Sequence, residues 1–450
     1  MEIPVTMPRR YRLVLILLSA FALCASIVGL SQTEEFSKLR RDQAQEMLKT
    51  TIDEIRKNYY DPKFHGVDLD KEFNKAREYI ATAVSMNKSL ASIATAVEAL
   101  NDSHTFFLPP QHATPREYGW RYQMVGDRCF ITQVQPKSDA DLKGVKPGDE
   151  LLAINGITPE RDIIWQIQYL FNVLKPQAIL TLSLRDPQGH QRSVDVAVHY
   201  GETKRMYDFT SANGASDIWE IIREQEAAEH LERVRYAEYG DALLIVRLPE
   251  FNLTPTEVSG VLAKVRKHNA LILDLRGNPG GAEETLQYLL GGFFDKEVKI
   301  AQRVGRKDSK PVMTKGPYNL FTGKLVVLVD SVSASGAELF ARVVQLQKRG
   351  IVVGDRSSGS VMEAKRYSER SGMDVIVEFG VQITDADLIM EDGKSLEHVG
   401  VTPDEVVLPA AADLAAGRDP ALARAAELVG QKISPEEAGK LFPFEWPPIE

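Results

Sequence analysis

The chain has 450 residues, a formal net charge of −9 at pH 7, 26% charged residues and 44% apolar residues. This length is sufficient for two or three domains, each with its own core. The composition is ordinary for a globular protein, and the mild negative charge argues against nucleic acid as the main partner. The sequence shows no cluster of metal ligands and predicts no cofactor.

Residues 1–31 carry the first distinct signature. A basic start at residues 8–12 precedes an almost wholly apolar run at residues 13–30, which ends before Ser31 and Gln32. This pattern predicts a signal peptide or an uncleaved membrane anchor. We favour export, to the periplasm or the medium, and keep inner-membrane association through residues 13–30 as the alternative.

Residues 33–112 are predicted to form an N-terminal helical region, in which four apolar residues share one helical face: Leu90, Ile93, Val97 and Leu100. Short strand patterns occupy residues 118–202, with the sequence GVKPGDELLAING at residues 144–156. That run resembles a PDZ domain. The resemblance implies a small β domain that binds extended peptides by strand addition, often at a C-terminal carboxylate. A β domain that binds no peptide is the alternative.

Strand and helix patterns alternate over residues 230–408, which predicts an α/β core, and residues 409–450 form an alanine-rich helical tail. Two buried-strand patterns in this core, at 271–273 and 325–329, are each followed by a turn of small residues. The first turn reads DLRGNPGG at residues 274–281, and the second reads SASGAE at residues 333–338. Glycines let backbone N–H groups approach a ligand, and a helix start offers donors to an oxyanion. The two turns therefore predict a single acyl-transfer site.

The ordered set of helical region, PDZ domain and these two turns resembles the tail-specific, or C-terminal-processing, serine peptidases over most of residues 45–408. The resemblance implies a multidomain α/β protein with a crotonase-like peptidase core of the ClpP type. It implies Ser335 as the nucleophile, with Ser333 the weaker candidate. The oxyanion hole would use the N–H of Gly336 and that of Gly280 or Gly281. Asp274 and Arg276 are expected to brace the first turn.

The sequence departs from the tail-specific branch at the general base. In that branch a lysine follows the serine by twenty-five residues, and this chain has Ser360 at that position. Lys365 lies five residues further, an odd offset that points to the opposite face of a strand. We therefore expect no Ser–Lys dyad, and another base is needed to activate a serine hydroxyl.

The tricorn branch of the same family suggests that base. Its site uses a histidine that directly follows a serine upstream of the core, and a glutamate near the end of the core. The corresponding residues here are Ser103, His104 and Glu397. A neutral imidazole can accept the serine proton and a carboxylate can stabilise the charged ring. His104 could instead only cap its turn, and the acid could instead come from Glu363 or Asp355.

The sequence thus predicts an exported serine endopeptidase that hydrolyses peptide bonds through an acyl-enzyme. Its expected partners are protein or peptide substrates with extended C-terminal segments, recruited by the PDZ domain. The alternative is an inactive ligand- or peptide-binding protein on the same scaffold, as in the retinoid-binding relatives of the family. The oligomeric state is left open.

Overall fold

The computed structural model describes residues 38–110, 116–200, 233–316, 320–372 and 376–446. The predicted signal peptide or anchor at residues 1–31 therefore lies outside the described residues. In the described part of the chain, every helix is too short or too polar to cross a lipid bilayer.

Three helices form the first layer: α1 (Lys38–Asn58), α2 (Leu69–Thr82) and α3 (Met86–Glu98). Asp68 and Ser85 cap α2 and α3, because their side chains accept hydrogen bonds from the backbone N–H groups of Lys71 and Lys88. The loop after α3 leads directly into the short strand β1 (Phe106–Leu108). This loop carries Ser103 and His104.

A five-stranded antiparallel sheet follows, in the order β3-β4-β5-β6-β7. Its strands are Trp120–Val125, Arg128–Val134, Glu150–Ile154, Ile179–Arg185 and Gln191–Ala197. Two short helices belong to it, α4 (Asp139–Leu142) and α5 (Ile164–Tyr169), and α5 continues as a π turn at Leu170–Leu174. The two-residue strands β2 (Arg116–Glu117) and β8 (His199–Tyr200) pair with each other beside it. Its apolar residues share one continuous core with α1, α2 and α3.

A six-stranded sheet forms the centre of the molecule, in the order β18-β15-β14-β11-β10-β9. In chain order its strands are β9 (Arg235–Tyr239), β10 (Leu243–Arg247), β11 (Ala270–Asp274), β14 (Lys324–Val329), β15 (Ile351–Gly354) and β18 (Glu405–Val406). All neighbouring strands run parallel except β9 and β10.

Helices cover both faces of the central sheet, which explains the unbroken apolar runs in its strands. Leu271 and Leu273 pack with three helices on one face: α6 (Pro255–Val265), α7 (Glu283–Gly291) and α8 (Gly336–Leu346). Ile272 packs on the other face with α10 (Pro420–Val429). The tail also contains α9 (Ala411–Ala416) and α11 (Pro435–Ala438).

Another five-stranded sheet joins the N-terminal region to the core. It contains β12 (Lys299–Gly305), β13 (Ser309–Met313), β16 (Met362–Ser371) and β17 (Val377–Ile389), and β1 pairs antiparallel with β17. The pairing of Phe106 with Gln382 holds the loop of His104 against the core. The coarse prediction of a mixed α/β fold is confirmed.

Candidate active site

Ser335 lies in a strained turn between β14 and α8. Its backbone has φ 51° and ψ −115°, a region that side-chain-bearing residues rarely adopt. The turn is held from both sides, since the Ser335 N–H donates to the Ser360 carbonyl at 2.9 Å and to the Glu338 carboxylate at 3.1 Å. Strain that is fixed in this way is typical of active sites. The Ser335 hydroxyl makes no hydrogen bond to any described residue.

Ser333 has a different environment. Its side chain is fully buried, and its hydroxyl donates to the Leu275 carbonyl at 2.8 Å. It also accepts a hydrogen bond from the Asp330 N–H at 2.9 Å. A hydroxyl committed in this way stabilises the turn and is not available for attack.

Glu338 supports the turn of Ser335, a role that the sequence interpretation did not include. It is fully buried and accepts hydrogen bonds from the Ser335 and Ser360 N–H groups, the Gly359 N–H and the Ser357 hydroxyl. Burial raises the pKa of its carboxyl to about 7, although these four donors oppose the rise. Glu338 thereby ties the Ser335 turn to the loop at residues 357–360. The signal was available, because a serine followed three residues later by glutamate is a capping pattern.

The first glycine turn lies directly against Ser335. A Cβ atom built on Gly280 would lie 2.6 Å from the Ser335 Cβ and 2.9 Å from the Gly336 nitrogen. The Gly280 N–H already donates to the Asn278 side chain at 2.8 Å. The Gly281 N–H has no acceptor among the described residues, and Gly336 is the first residue of α8, so its N–H has no intrahelical acceptor. Gly281 and Gly336 are therefore the free donors at this turn.

Asp274 and Arg276 form an ion pair at the base of the same turn. The Arg276 guanidinium lies 2.9 Å from Asp274, which is fully buried, and 2.7 Å from Asp419 at the start of α10. These contacts connect the turn to the tail helix, and neither residue is joined to Ser335.

Ser103, His104 and Glu397 form one hydrogen-bonded relay. The Ser103 hydroxyl donates to Glu397 at 2.9 Å and lies 2.7 Å from Nδ1 of His104. Because that hydroxyl has a single proton, it must accept from His104, which places a proton on Nδ1. Nε2 is then the unprotonated nitrogen, and it has no partner among the described residues. The relay thus presents His104 as a proton acceptor.

A buried carboxylate, that of Asp102, holds the loop of His104 in place through hydrogen bonds. Asp102 accepts hydrogen bonds from the His104 N–H at 2.9 Å, the Tyr59 hydroxyl at 2.9 Å and the Thr384 hydroxyl at 2.6 Å. Burial lowers the pKa of His104 below its ordinary value of 6.5, against the raising effect of Glu397 and Asp102. The ring is therefore neutral at neutral pH, as a general base requires.

The other residues considered as base or acid are engaged elsewhere. Lys365 on β16 is paired with Asp385. Glu363 lies 2.6 Å from Arg303, and Asp355 lies 2.5 Å from Arg161. Among these carboxylates, Glu397 is the one that the relay brings to His104.

The Ser335 turn and the relay are hydrogen-bonded to two consecutive residues, Ser360 and Val361. The Ser360 carbonyl accepts from the Ser335 N–H, and the next N–H, that of Val361, donates to Glu397 at 2.9 Å. Within the described part of the chain no hydrogen bond joins His104 to Ser335 directly. Ser103 and Ser360 both line a cleft of about 1410 Å³, whose other walls come from α2, α3 and residues 156–166.

Comparison with known proteins finds relatives of this chain. Residues 242–407 match the profile of peptidase family S41. The carboxyl-terminal-processing peptidase 1, chloroplastic, of Arabidopsis thaliana is 23% identical, over 72% of this chain and 64% of its own length. The tail-specific protease of Haemophilus influenzae is 24% identical, over 67% of this chain and 43% of its own length. The chain thus spans less than two thirds of either relative.

The crystal structure of mature CPAF has the same fold, with a TM-score of 0.61 at 16% identity, over 84% of this chain and 94% of that one. Together these matches confirm the family to which the sequence motifs point. Residues 242–407 thus form a domain that matches this family, peptidase family S41.

Proposed function

We propose that the protein is a serine endopeptidase that cleaves peptide bonds through an acyl-enzyme on Ser335. The observation that carries this proposal is the relay from Glu397 through Ser103 to Nδ1 of His104. It leaves Nε2 of His104 unprotonated, and residues 360 and 361 connect the relay to the strained turn of Ser335, whose hydroxyl has no partner among the described residues. The S41 domain and the relatives named as proteases support the same reading.

The reaction would proceed in two halves. Nε2 of His104 accepts the Ser335 hydroxyl proton as the oxygen attacks the substrate carbonyl, and the N–H groups of Gly336 and Gly281 receive the negative charge on the carbonyl oxygen. His104 then donates its proton to the leaving amine. A water molecule, deprotonated by the same ring, hydrolyses the ester. Glu397 stabilises the imidazolium through Ser103 in both halves.

The missing hydrogen bond between His104 and Ser335 is compatible with this mechanism. Catalytic hydrogen bonds in unliganded enzymes are commonly long and tighten when substrate binds.

In this proposal residues 118–202 act as a PDZ domain and residues 230–408 as a crotonase-like peptidase core. Strand β3 is an edge of its sheet, and a groove of about 280 Å³ lies along it beside residues 168–176. An extended peptide could add to this edge as a further strand. The named activities of the relatives, processing at carboxyl termini, make protein tails the expected substrates.

We further propose export, with the periplasm or the medium as the working compartment, on the basis of residues 1–31. Cell fractionation of the full chain tests this. Recovery in the cytoplasm with residues 1–31 intact would contradict it.

The test of the proposed function is labelling of the purified protein by a fluorophosphonate, which reacts with activated serines. We expect labelling of the unaltered protein and its loss in Ser335→Ala and in His104→Ala. Lys365→Ala is the matched control and should label normally, since Lys365 is paired with Asp385. If the unaltered protein neither labels nor cleaves a peptide library, the alternative of a binding protein on this scaffold replaces the peptidase.

A further inference from the structure

Glu98 is an acidic residue in the cleft that the proposed chemistry does not use. It is the last residue of α3 and lines the cleft together with Ser103 and Ser360. Its carboxyl forms no hydrogen bond or ion pair with any described residue. Burial raises the pKa of Glu98 to about 8, with no donor to oppose the rise. A half-buried carboxyl without a partner is a candidate ligand contact.

A second unpartnered acceptor lines the same cleft. The Oε1 atom of Gln166, on α5, is buried and has no hydrogen-bond partner. Tyr169 lies one turn further along α5 and close to Glu98. Burial raises the pKa of its phenol, and the charge of Glu98 adds to this rise. Its hydroxyl is already committed to the Phe107 carbonyl and cannot serve Glu98. Both side chains therefore lack a partner among the described residues.

The electrostatic surroundings of Glu98 favour a cation supplied by a bound ligand. Glu98 lies at the C-terminal end of α3, where the helix dipole adds negative potential and favours positive charge. Two basic residues of the cleft are already occupied: Lys75 lies 2.8 Å from Glu72, and Arg161 lies 2.5 Å from Asp355. Lys88 is ten residues before Glu98 on α3, about 15 Å along the axis. Lys71 and Arg356 also line the cleft, but no described residue forms an ion pair with Glu98.

We infer that Glu98 and Gln166 form a specificity subsite that accepts a basic side chain, lysine or arginine, of the peptide bound in the cleft. This inference rests on the proposed function in one respect, namely that the cleft binds peptide. A bound ammonium group favours the ionised form of Glu98, and its three donors can then satisfy both the carboxylate and the Gln166 amide oxygen. The same subsite disfavours acidic side chains, which would lie against Glu98.

A binding experiment tests the subsite without depending on turnover. The full chain with Ser335→Ala is titrated into fluorescein-labelled peptides of alanine and glycine that carry one central lysine, norleucine or glutamate, and fluorescence polarisation is measured. We expect the lysine peptide to bind about tenfold more tightly than the norleucine peptide, from a charge-assisted hydrogen bond in a half-buried site. The glutamate peptide should bind most weakly.

Three further substitutions, each made in the Ser335→Ala protein, test which residues cause the preference for the lysine peptide. Glu98→Gln should abolish it at unchanged thermal stability, and Gln166→Met should weaken it. Glu72→Gln, which alters a glutamate of the same cleft that is already paired with Lys75, should preserve it. Equal affinity for the lysine and norleucine peptides, no binding of either, or a preference that survives Glu98→Gln overturns the subsite. A lysine preference in a protein that never cleaves peptide would overturn the peptidase and leave the subsite standing.

Discussion

Substitution of Gly280 by alanine tests whether the glycine turn sets the geometry of Ser335. Gly280 has φ 101°, and its added methyl carbon would lie 2.6 Å from the Ser335 Cβ and 2.9 Å from the Gly336 nitrogen. Carbon atoms in contact prefer a separation of about 3.5 Å or more, so one group must move by about 1 Å. A displacement of that size at a reacting group costs about 100-fold in rate. The positive φ adds about 1–2 kcal/mol of destabilisation.

Gly277 provides the matched control in the same turn. It also has a positive φ, 72°, but a Cβ atom there would meet nothing within 4 Å. Gly277→Ala should therefore lower the free energy of unfolding by a similar 1–2 kcal/mol, roughly, and leave the reactivity of Ser335 intact. Fluorophosphonate labelling rates and urea unfolding of both variants separate the two effects. Labelling of Gly280→Ala at the unaltered rate, or an equal loss in both variants, would refute the argument.

Three further predictions concern the base. Ser103→Ala removes the acceptor of the His104 Nδ1 proton. It should lower kcat by roughly 5- to 150-fold, the equivalent of about 1–3 kcal/mol, with KM little changed. A change in KM alone would speak against the relay. Lys365→Ala should leave kcat/KM unchanged while the pair with Asp385 is lost, and a large fall would restore a lysine base. Burial lowers the pKa of His104, and the ring must be neutral to act as the base. The fall of kcat/KM on the acid side of the pH profile should therefore have its midpoint below pH 6.5. A midpoint near pH 7.5 would contradict the assignment of His104 as the base.

The sequence predicted the parts of the site that short motifs carry. The apolar strand at residues 271–273 and its glycine turn required only local patterns, and the absence of a lysine at position 360 could be counted. Contacts between distant segments could not be read in this way. The relay joins Ser103 to Glu397 across 294 positions, and only the family resemblance brought them together beforehand.

The proposal of Gly281 rather than Gly280 as an oxyanion donor also required coordinates. Both glycines satisfy the motif equally, and what distinguishes them is that Asn278 already occupies the Gly280 N–H. The role of Glu338 depends in the same way on a loop twenty residues further along the chain. Which backbone N–H groups already have an acceptor depends on how the chain packs, and a local sequence pattern does not show it.

The pairing of β1 with β17 has a consequence for when the protein can become active. Residues 242–407 contain Ser335 and Glu397, whereas His104 arrives from the N-terminal region and is held in place by that pairing. A nascent chain that ends before Ser335 holds the candidate base without the nucleophile, and a chain that begins after His104 holds the nucleophile without the base. In the proposed peptidase, cleavage would therefore require both segments to be present and β1 to be paired with β17.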